Sequence, residues 1–344
     1  MKIVLDAMGS DTCPLPEVEA ALTAARRWED THILLVGDEP RLKELLPRFG
    51  GAHPNVELIH AADAITMQDK GMTLALKAKR KDSKTSMAIG MDLVKQGEAD
   101  AFVTAGNTGG ALSTAYFRLG LLPGVERPGL TALFPVRGGY CVVLDIGANP
   151  ECKPEHILQF AAMGSVYARL ALGAAEPRVG LISNGEEGGK GNELVKGAYP
   201  LLEASALNFI GNVEGKELFG GQADVAVTDG FTGNVVLKTS EAVAKLMTDL
   251  LKEHLMSSTR TKLGALLAKP AFDALKKTLD PHEVGAAPLL GVNGLVFIGH
   301  GRSNAHAMTN AVGAARQAVQ HNLLIAVSSA IQEQLAHLQR GEAA

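Results

Sequence analysis

Four short stretches gather the residue types that can grip an oxyanion. Asp6-Ala-Met-Gly-Ser-Asp11 follows the opening apolar run, with Gly9 able to turn tightly between Asp6 and Asp11. Thr104-Ala-Gly-Asn-Thr-Gly-Gly110 supplies Asn107, Thr108 and Gly109. Its small residues let backbone N–H groups approach an anion, and a helix starting there would add its positive dipole end. Thr228-Asp-Gly-Phe-Thr-Gly-Asn234 repeats that chemistry with Asp229, Thr232, Gly233 and Asn234, so two loops could cradle one oxyanion from two sides. Gly299-His-Gly-Arg-Ser-Asn304 adds His300, Arg302, Ser303 and Asn304 directly after an apolar run. Each stretch also has a plain reading. In the first, Asp11 or Thr12 would merely cap a helix that Pro14 or Pro16 opens. The second is neither a Walker loop nor a dinucleotide fingerprint, because no Lys-Ser/Thr follows the glycines and their spacing differs.

Two further stretches carry reactive types. Asn184 to Glu193 sets Lys190 among flexible glycines, within reach of an anionic group, or else is an exposed acidic loop. Cys152 beside Lys153 and near His156 could be an activated thiol, with a buried bystander as the alternative.

Positioning these loops requires strands that end at one edge. Apolar runs at Ile3–Leu5, Ile33–Val36, Val56–Ile59, Ala101–Thr104, Thr131–Phe134, Val142–Asp145, Val179–Ile182, Leu207–Ile210, Val225–Thr228 and Gly294–Ile298 read as strands. Helical spacing separates many of them, at Pro16–Trp28, Leu74–Val94 and Pro154–Leu172. Strands alternating with helices predict an α/β fold of three α/β/α layers around a largely parallel sheet, with ligands outside the carboxyl ends of the strands. We expect one catalytic domain of two lobes over residues 1–344. Glu241–Leu279 departs from this rhythm as two amphipathic helices, broken at Ser257-Ser258-Thr259, with Pro270 interrupting the second. Seven basic residues there oppose four acidic ones. A protruding helical hairpin over 241–283 is the expectation, and Gly341–Ala344 should fray.

The 344 residues are 46% hydrophobic and 20% charged, enough for a sizeable core. A net charge of −4 argues against nucleic acid as a partner. Cys13, Cys141 and Cys152 are too few and too irregular for a disulfide framework or a zinc site, and no metal-ligand spacing stands out. The first residues read as a strand rather than a signal peptide, and no apolar stretch is long enough to span a bilayer. The expected location is therefore cytoplasmic or at a membrane surface.

Jointly, several strings resemble the phosphate acyltransferase family of bacterial phospholipid synthesis. They are Asp6-Ala-Met-Gly, Ala105-Gly-Asn-Thr-Gly109, Leu144-Asp-Ile-Gly-Ala-Asn149 with Cys152-Lys-Pro-Glu-His156, Glu186 to Glu193, Asp229-Gly-Phe-Thr-Gly-Asn234, Leu289-Leu-Gly-Val-Asn-Gly294 and His300-Gly-Arg-Ser-Asn304. They occur in order over nearly the whole chain. Ser10 departs from the pattern, standing where the family usually has a second glycine, and a positive φ there would cost it more. The resemblance implies a fold like that of isocitrate and isopropylmalate dehydrogenases and of phosphotransacetylase, and a homodimer. It implies transfer of a long-chain fatty acyl group from an acyl-carrier protein thioester to inorganic phosphate, without a cofactor. The acyl phosphate would feed a membrane glycerol-3-phosphate acyltransferase, and the enzyme would sit in the cytoplasm, loosely attached to membrane through 241–283 or using that segment for the dimer.

On that reading Asn107, Thr108, Gly109, Thr232, Gly233 and Asn234 hold phosphate and the developing oxyanion. Lys190 or Arg302 balances charge, and His300 or Asp229 manages the proton. Asp6, Gly9, Asp11, Ser303 and Asn304 complete the substrate site. Rival readings are a phosphotransacetylase using short acyl-CoA, a metal- and nicotinamide-dependent dehydrogenase of the same superfamily, and a non-catalytic scaffold at the membrane surface.

Overall fold

Ile3, Val4 and Leu5 are consecutive and all buried, so the first strand is covered on both faces. That is the signature of a sheet sandwiched between helices. The computed structural model describes residues 1–342; Ala343 and Ala344, half of the stretch expected to fray, lie outside them, while Gly341 and Glu342 end the helix Leu323–Glu342. The strands are β1 (Lys2–Asp6), β2 (His32–Gly37), β3 (Val56–His60), β4 (Ala101–Thr104), β5 (Gly129–Val136), β6 (Gly139–Leu144), β7 (Val179–Ile182), β8 (Phe209–Val213), β9 (Val225–Val227), β10 (Ala286–Leu290) and β11 (Leu295–Gly299). They form one sheet in the order β3-β2-β1-β4-β11-β10-β5-β6-β9-β7-β8. Seven pairings are parallel and three antiparallel. Successive residues feed opposite layers: Ile3, Leu5, Ile33 and Leu35 pack on one face, Val4, Leu34 and Val36 on the other. The fold is thus the three-layer α/β/α arrangement expected from the sequence.

Its centre was not foreseen. β10 was missed, and β10–β11, β10–β5 and β5–β6 are the antiparallel pairs. Pro288 lies inside β10 and argues against a strand by composition. It is tolerated because β10 meets β5 only at Leu289↔Leu130 and Leu290↔Gly129, so before Leu289 that edge has no neighbour to hydrogen-bond. The two strands then part, leaving a fork in the sheet.

Helix boundaries moved where capping overrides periodicity. Pro154–Leu172 is one helix, as expected. Leu74–Val94 is two, Gly71–Lys79 and Ser86–Lys95, the second capped by Thr85, whose Oγ1 accepts from Ala88 N at 3.3 Å. Pro14, rather than Asp11 or Thr12, precedes the helix Leu15–Arg27. The segment after β9 is a 26-residue helix, Gly230–Leu255, beginning inside the glycine-rich stretch that reads as a loop. Helices Thr259–Leu267 and Lys269–Leu279 follow, and Pro270 opens the latter instead of interrupting it. Among the described residues, no helix is long and apolar enough to cross a membrane.

Glycine sets how closely the 230–255 helix approaches β6. A Cβ on Gly233 would lie 1.9 Å from the Asp145 carbonyl oxygen. Replacement by alanine therefore has to displace backbone, not a side-chain tip. Gly233→Ala should cost on the order of 3 kcal/mol or more, read as a lowered urea midpoint with unchanged slope. Gly264→Ala, in a helix with open space around it, should instead stabilise by about 0.5–1 kcal/mol.

Candidate active site

The carboxyl ends of β1, β4 and β11 build one half of the site. Asp6 is fully buried; its carboxylate accepts from Thr104 Oγ1 at 2.7 Å and Met8 N at 3.0 Å, and Thr104 Oγ1 accepts in turn from Gly106 N at 2.9 Å. Burial pushes the Asp6 pKa up against these donors. The loops after β1 and β4 touch: a Cβ on Gly9 would fall 2.7 Å from Gly106 N. Asn107 is committed to structure, since Oδ1 accepts from Gly110 N at 3.0 Å and Nδ2 donates to the carbonyls of Thr66 and Asp69 at 3.0 and 3.1 Å. It caps the helix Thr108–Arg118, whose positive end opens at Thr108. Asp11 N donates to Gly301 O at 2.8 Å and ties the first loop to the last. Asn304 caps the helix Ala305–Gln320, and Ser303 is buried. Ser10 has no positive φ, because Asn322 is the only described non-glycine residue that does; its N–H donates to Glu17 at 3.3 Å, a buried acid pushed up to about 7 by loss of solvent.

β6 and β9 build the other half around Asp145. Its buried carboxylate accepts from five donors: the N–H groups of Leu130, Gly147, Ala148 and Asn149, and Asn149 Nδ2, at 2.7–3.1 Å. The helix 230–255 seats on that turn through Gly233 and through Gly230 N, which donates to Asn149 O at 2.8 Å. Asp229 caps it: its carboxylate accepts from Thr232 N and Thr232 Oγ1, both at 2.8 Å. Both side chains are thereby occupied. Asn234, one turn on, stands beside Gly147.

The two halves face one another across a cavity of about 1220 Å³. Asp11, Gly106, Thr108, Gly147, Asn234, Lys238, His300 and Gly301 form its polar end. The remainder is mainly apolar and lies at the fork between β5 and β10, with Leu133, Phe134 and Ala287 on the strand side and Leu237, Met247 and Leu251 on the helix, though Thr248, Thr278 and Asp280 also line it. Of the residues predicted from sequence, the structure thus brings together Asp11, Thr108, Asn234 and His300. Gly109, Arg302 and Asn304 flank this end without lining it, and Asp6, Gly9, Asn107, Asp229, Thr232, Gly233 and Ser303 lie behind it.

Lys190 is elsewhere. It lines a second hollow with Glu186, Glu187 and Glu214, following β7, which is separated from β11 by four intervening strands. Glu186, Glu214 and Glu217 converge there closely enough to suggest a metal site, but Lys216 already stands among them at 2.6, 3.7 and 3.4 Å. Burial pushes the Cys152 thiol up to about 12, which leaves it protonated and unreactive at neutral pH. His156 is held by Glu126 at 3.2 Å and by Lys153 N.

Lys238 is the residue that the sequence reading missed. It pairs with Glu241 at 3.0 Å, and both line the cavity. The available signal was spacing: Asn234, Lys238 and Glu241 share a face only if the glycine-rich stretch is already helical. His300 Nδ1 accepts from Arg302 N at 3.4 Å, which leaves Nε2 to carry the proton of the neutral ring. Partial burial, followed by the charges of Lys238 and Arg302, holds its pKa below the ordinary 6.5. The arrangement can therefore seat an anion, move a proton through a neutral imidazole and shelter a long apolar group.

Comparison with known proteins agrees with that chemistry. A family model described as "Fatty acid synthesis protein" matches residues 1–325. The phosphate acyltransferase of Acidobacterium capsulatum is 46% identical over 316 residues, covering 92% of each chain. A branched-chain phosphotransacylase from Enterococcus faecalis superposes with a TM-score of 0.58 at 13% identity, over 93% of this chain and 99% of that one. A phosphotransacetylase from Streptococcus pyogenes superposes at 0.56 with 17% identity, over 96% and 94%. At such identities these two structures speak for the fold alone, whereas the extent and identity of the sequence match settle the family: the chain belongs to the phosphate acyltransferases, enzymes that transfer an acyl group to phosphate and release acyl phosphate.

Proposed function

We propose that the acyl group is a long fatty chain and that its donor is an acyl-carrier protein thioester. The observation that carries this reading is the cavity. Its volume of about 1220 Å³ exceeds the roughly 300–1,000 Å³ of sites for drug-sized ligands, and its lining is mainly apolar away from the anion-binding groups. An acetyl group needs no such space. Phosphate sits at the polar end, held by the N-terminus of the helix 108–118, by Asn234 and by Lys238. The thioester carbonyl meets it beside His300, and the chain runs into the fork between β5 and β10.

The step balances without a redox partner. A phosphate oxygen bonds to the carbonyl carbon, the C–S bond breaks, and the one proton on phosphate ends on the departing sulfur. Neutral His300 relays it: Nε2–H is donated to the departing sulfur while Nδ1, giving up the long Arg302 contact, takes the proton from phosphate. Asn234 and the backbone donors around Thr108 and Gly109 stabilise the charge on the tetrahedral intermediate. Asp11 borders the polar end and orders the His300 loop through Gly301.

The same reading covers the surroundings. The enzyme works as a homodimer in the cytoplasm, loosely held at the membrane, where a glycerol-3-phosphate acyltransferase consumes its product. The segment 241–283 supports this, because Leu246, Leu263, Leu266 and Leu267 are exposed next to an excess of lysine and arginine. Mass-spectrometric detection of palmitoyl phosphate from palmitoyl-carrier protein and phosphate tests the reaction; acetyl phosphate from acetyl-CoA at a comparable rate would reject the long-chain assignment.

His300→Ala and Asn234→Ala should each lower kcat/KM by about a hundredfold, close to 3 kcal/mol. Rates within about threefold of wild type would remove both residues from the mechanism. The pH profile carries a sign. Neutral His300 is the active form and its pKa lies below 6.5, so the acid limb of kcat/KM should bend below that pH and vanish in His300→Ala. Lys238→Ala removes a neighbouring positive charge and should shift the limb upward.

The two lysines are separable by phosphate titration. Lys238→Ala should raise KM for phosphate by about tenfold, and Lys190→Ala should leave it within about twofold. The opposite ranking would return charge balance to Lys190.

A further inference from the structure

Residues 67–84 carry six basic and two acidic side chains in a chain of net charge −4. Both acids are neutralised locally: Asp69 pairs with Lys77 at 3.1 Å and Asp82 with Arg80 at 3.0 Å. Lys70, Lys79, Lys81 and Lys84 remain exposed and carry no ion pair among the described residues. These free cations surround an apolar centre. Met72 and Leu76, four residues apart and so on one helix face, are 79% and 56% exposed. Lys79, on the same face, lies 5.9 Å from the ring centre of Phe117, which is itself exposed beside Tyr116.

This surface is fixed relative to the active site from two sides. Asn107 Nδ2 binds the carbonyls of Thr66 and Asp69, and Met67 lines the cavity. Buried Arg118 donates to the carbonyls of Arg80 and Lys81 and to Asp92 at 2.8 Å, which pins the turn that presents Lys81. Phe117 lies nine residues along the helix that starts at Thr108, or about 14 Å at 1.5 Å per residue. A macromolecule seated on the patch would thus rest one flexible tether away from the phosphate end of the cavity.

We propose that this patch, Met72–Leu76–Phe117 with its rim of Lys70, Lys79, Lys81 and Lys84, is where the acyl-bearing carrier docks through an acidic face. The inference rests on the reading that the donor is a carrier protein. Unpaired cations around an apolar centre suit an acidic protein surface, steering its approach and then burying the hydrophobic contact. The tether reaches the mouth along the helix 108–118.

Steady-state kinetics with two donors, palmitoyl-carrier protein and palmitoyl-pantetheine, test it. The double variant Lys81→Glu/Lys84→Glu should raise KM for the carrier-borne donor by about tenfold or more with kcat unchanged. It should leave palmitoyl-pantetheine kinetics at wild-type values, which also shows that the variant is folded. Added salt should raise wild-type KM for the carrier and change that of the variant little. An unchanged carrier KM would overturn the docking surface alone, as would a variant that lost only its binding to phosphatidylglycerol vesicles. Wild-type enzyme that used palmitoyl-pantetheine but not the carrier would overturn the donor reading together with the surface.

Discussion

The structure hinges on one backbone contact, the seating of the helix 230–255 on the turn after β6. Gly233 leaves room for the Asp145 carbonyl where any Cβ would overlap it. The carboxylate of the same aspartate gathers five donors from Leu130, Gly147, Ala148 and Asn149. Burial works against the charged form of Asp145 and the donors work for it. Hydrogen bonds to a charged group contribute about 1.5–3 kcal/mol each, so the turn is rigid. Because the helix starts there, Asn234, Lys238 and the apolar wall at Leu237, Met247 and Leu251 all inherit their positions from it. Asp6 with Thr104, and Gly9 against Gly106, set the facing loops by the same means.

Rigid loop floors explain why so few side chains remain for chemistry. Asn107, Asp229 and Asn304 look like ligand-binding groups, yet each spends its oxygen on the first turn of a helix. Their side chains instead hold helix ends in place, and of the three the end capped by Asn107 reaches the cavity, at Thr108. The polar groups that line the cavity are those one turn further in, Asn234 and Lys238, or just after the last strand, His300. The second constraint is the fork. An antiparallel insertion in an otherwise parallel sheet lets β5 and β10 part after two pairs, and the gap becomes an apolar slot between strands. A fully paired sheet would have filled that volume.

Much of this is legible in the sequence, for reasons that also define where legibility stops. β4, β7 and the helix Pro154–Leu172 fall at their predicted bounds because short apolar runs flanked by polar and small residues, and a clean 3.6-residue period, mark their ends. The glycine- and asparagine-rich stretches were recognisable as strand ends. Their division between loop and helix was not, since Gly-Phe-Thr-Gly lacks helix propensity and its helix is enforced by the Asp229 cap and the Asp145 turn, a tertiary effect. Lys238 disappeared with that boundary. β10 was hidden by Pro288, which is harmless only because its neighbour has turned away, a fact about β5. Lys190 illustrates the opposite case: glycines promised reach, but strand order, which short-range pattern does not encode, puts four strands between its own strand and the one before His300.

Charge completes the argument for the site's polarity. Phosphate and thiolate are both negative, so a site that only attracted anions would hold the leaving group as firmly as the nucleophile. Here the cations at the polar end act twice. On the proposed reading Lys238 and Arg302 offset the phosphate charge, and by the same field they disfavour a protonated His300. The imidazole therefore stays neutral until phosphate arrives. In the proposed step the bound dianion raises the proton affinity of the ring, which favours transfer from phosphate at the moment its oxygen becomes the nucleophile. On the same reading the proton's final acceptor is the more basic thiolate, and the mainly apolar fork behind the carbonyl would keep water from competing for the acyl group. One arrangement of fixed charge and excluded water thus links anion binding to proton transfer.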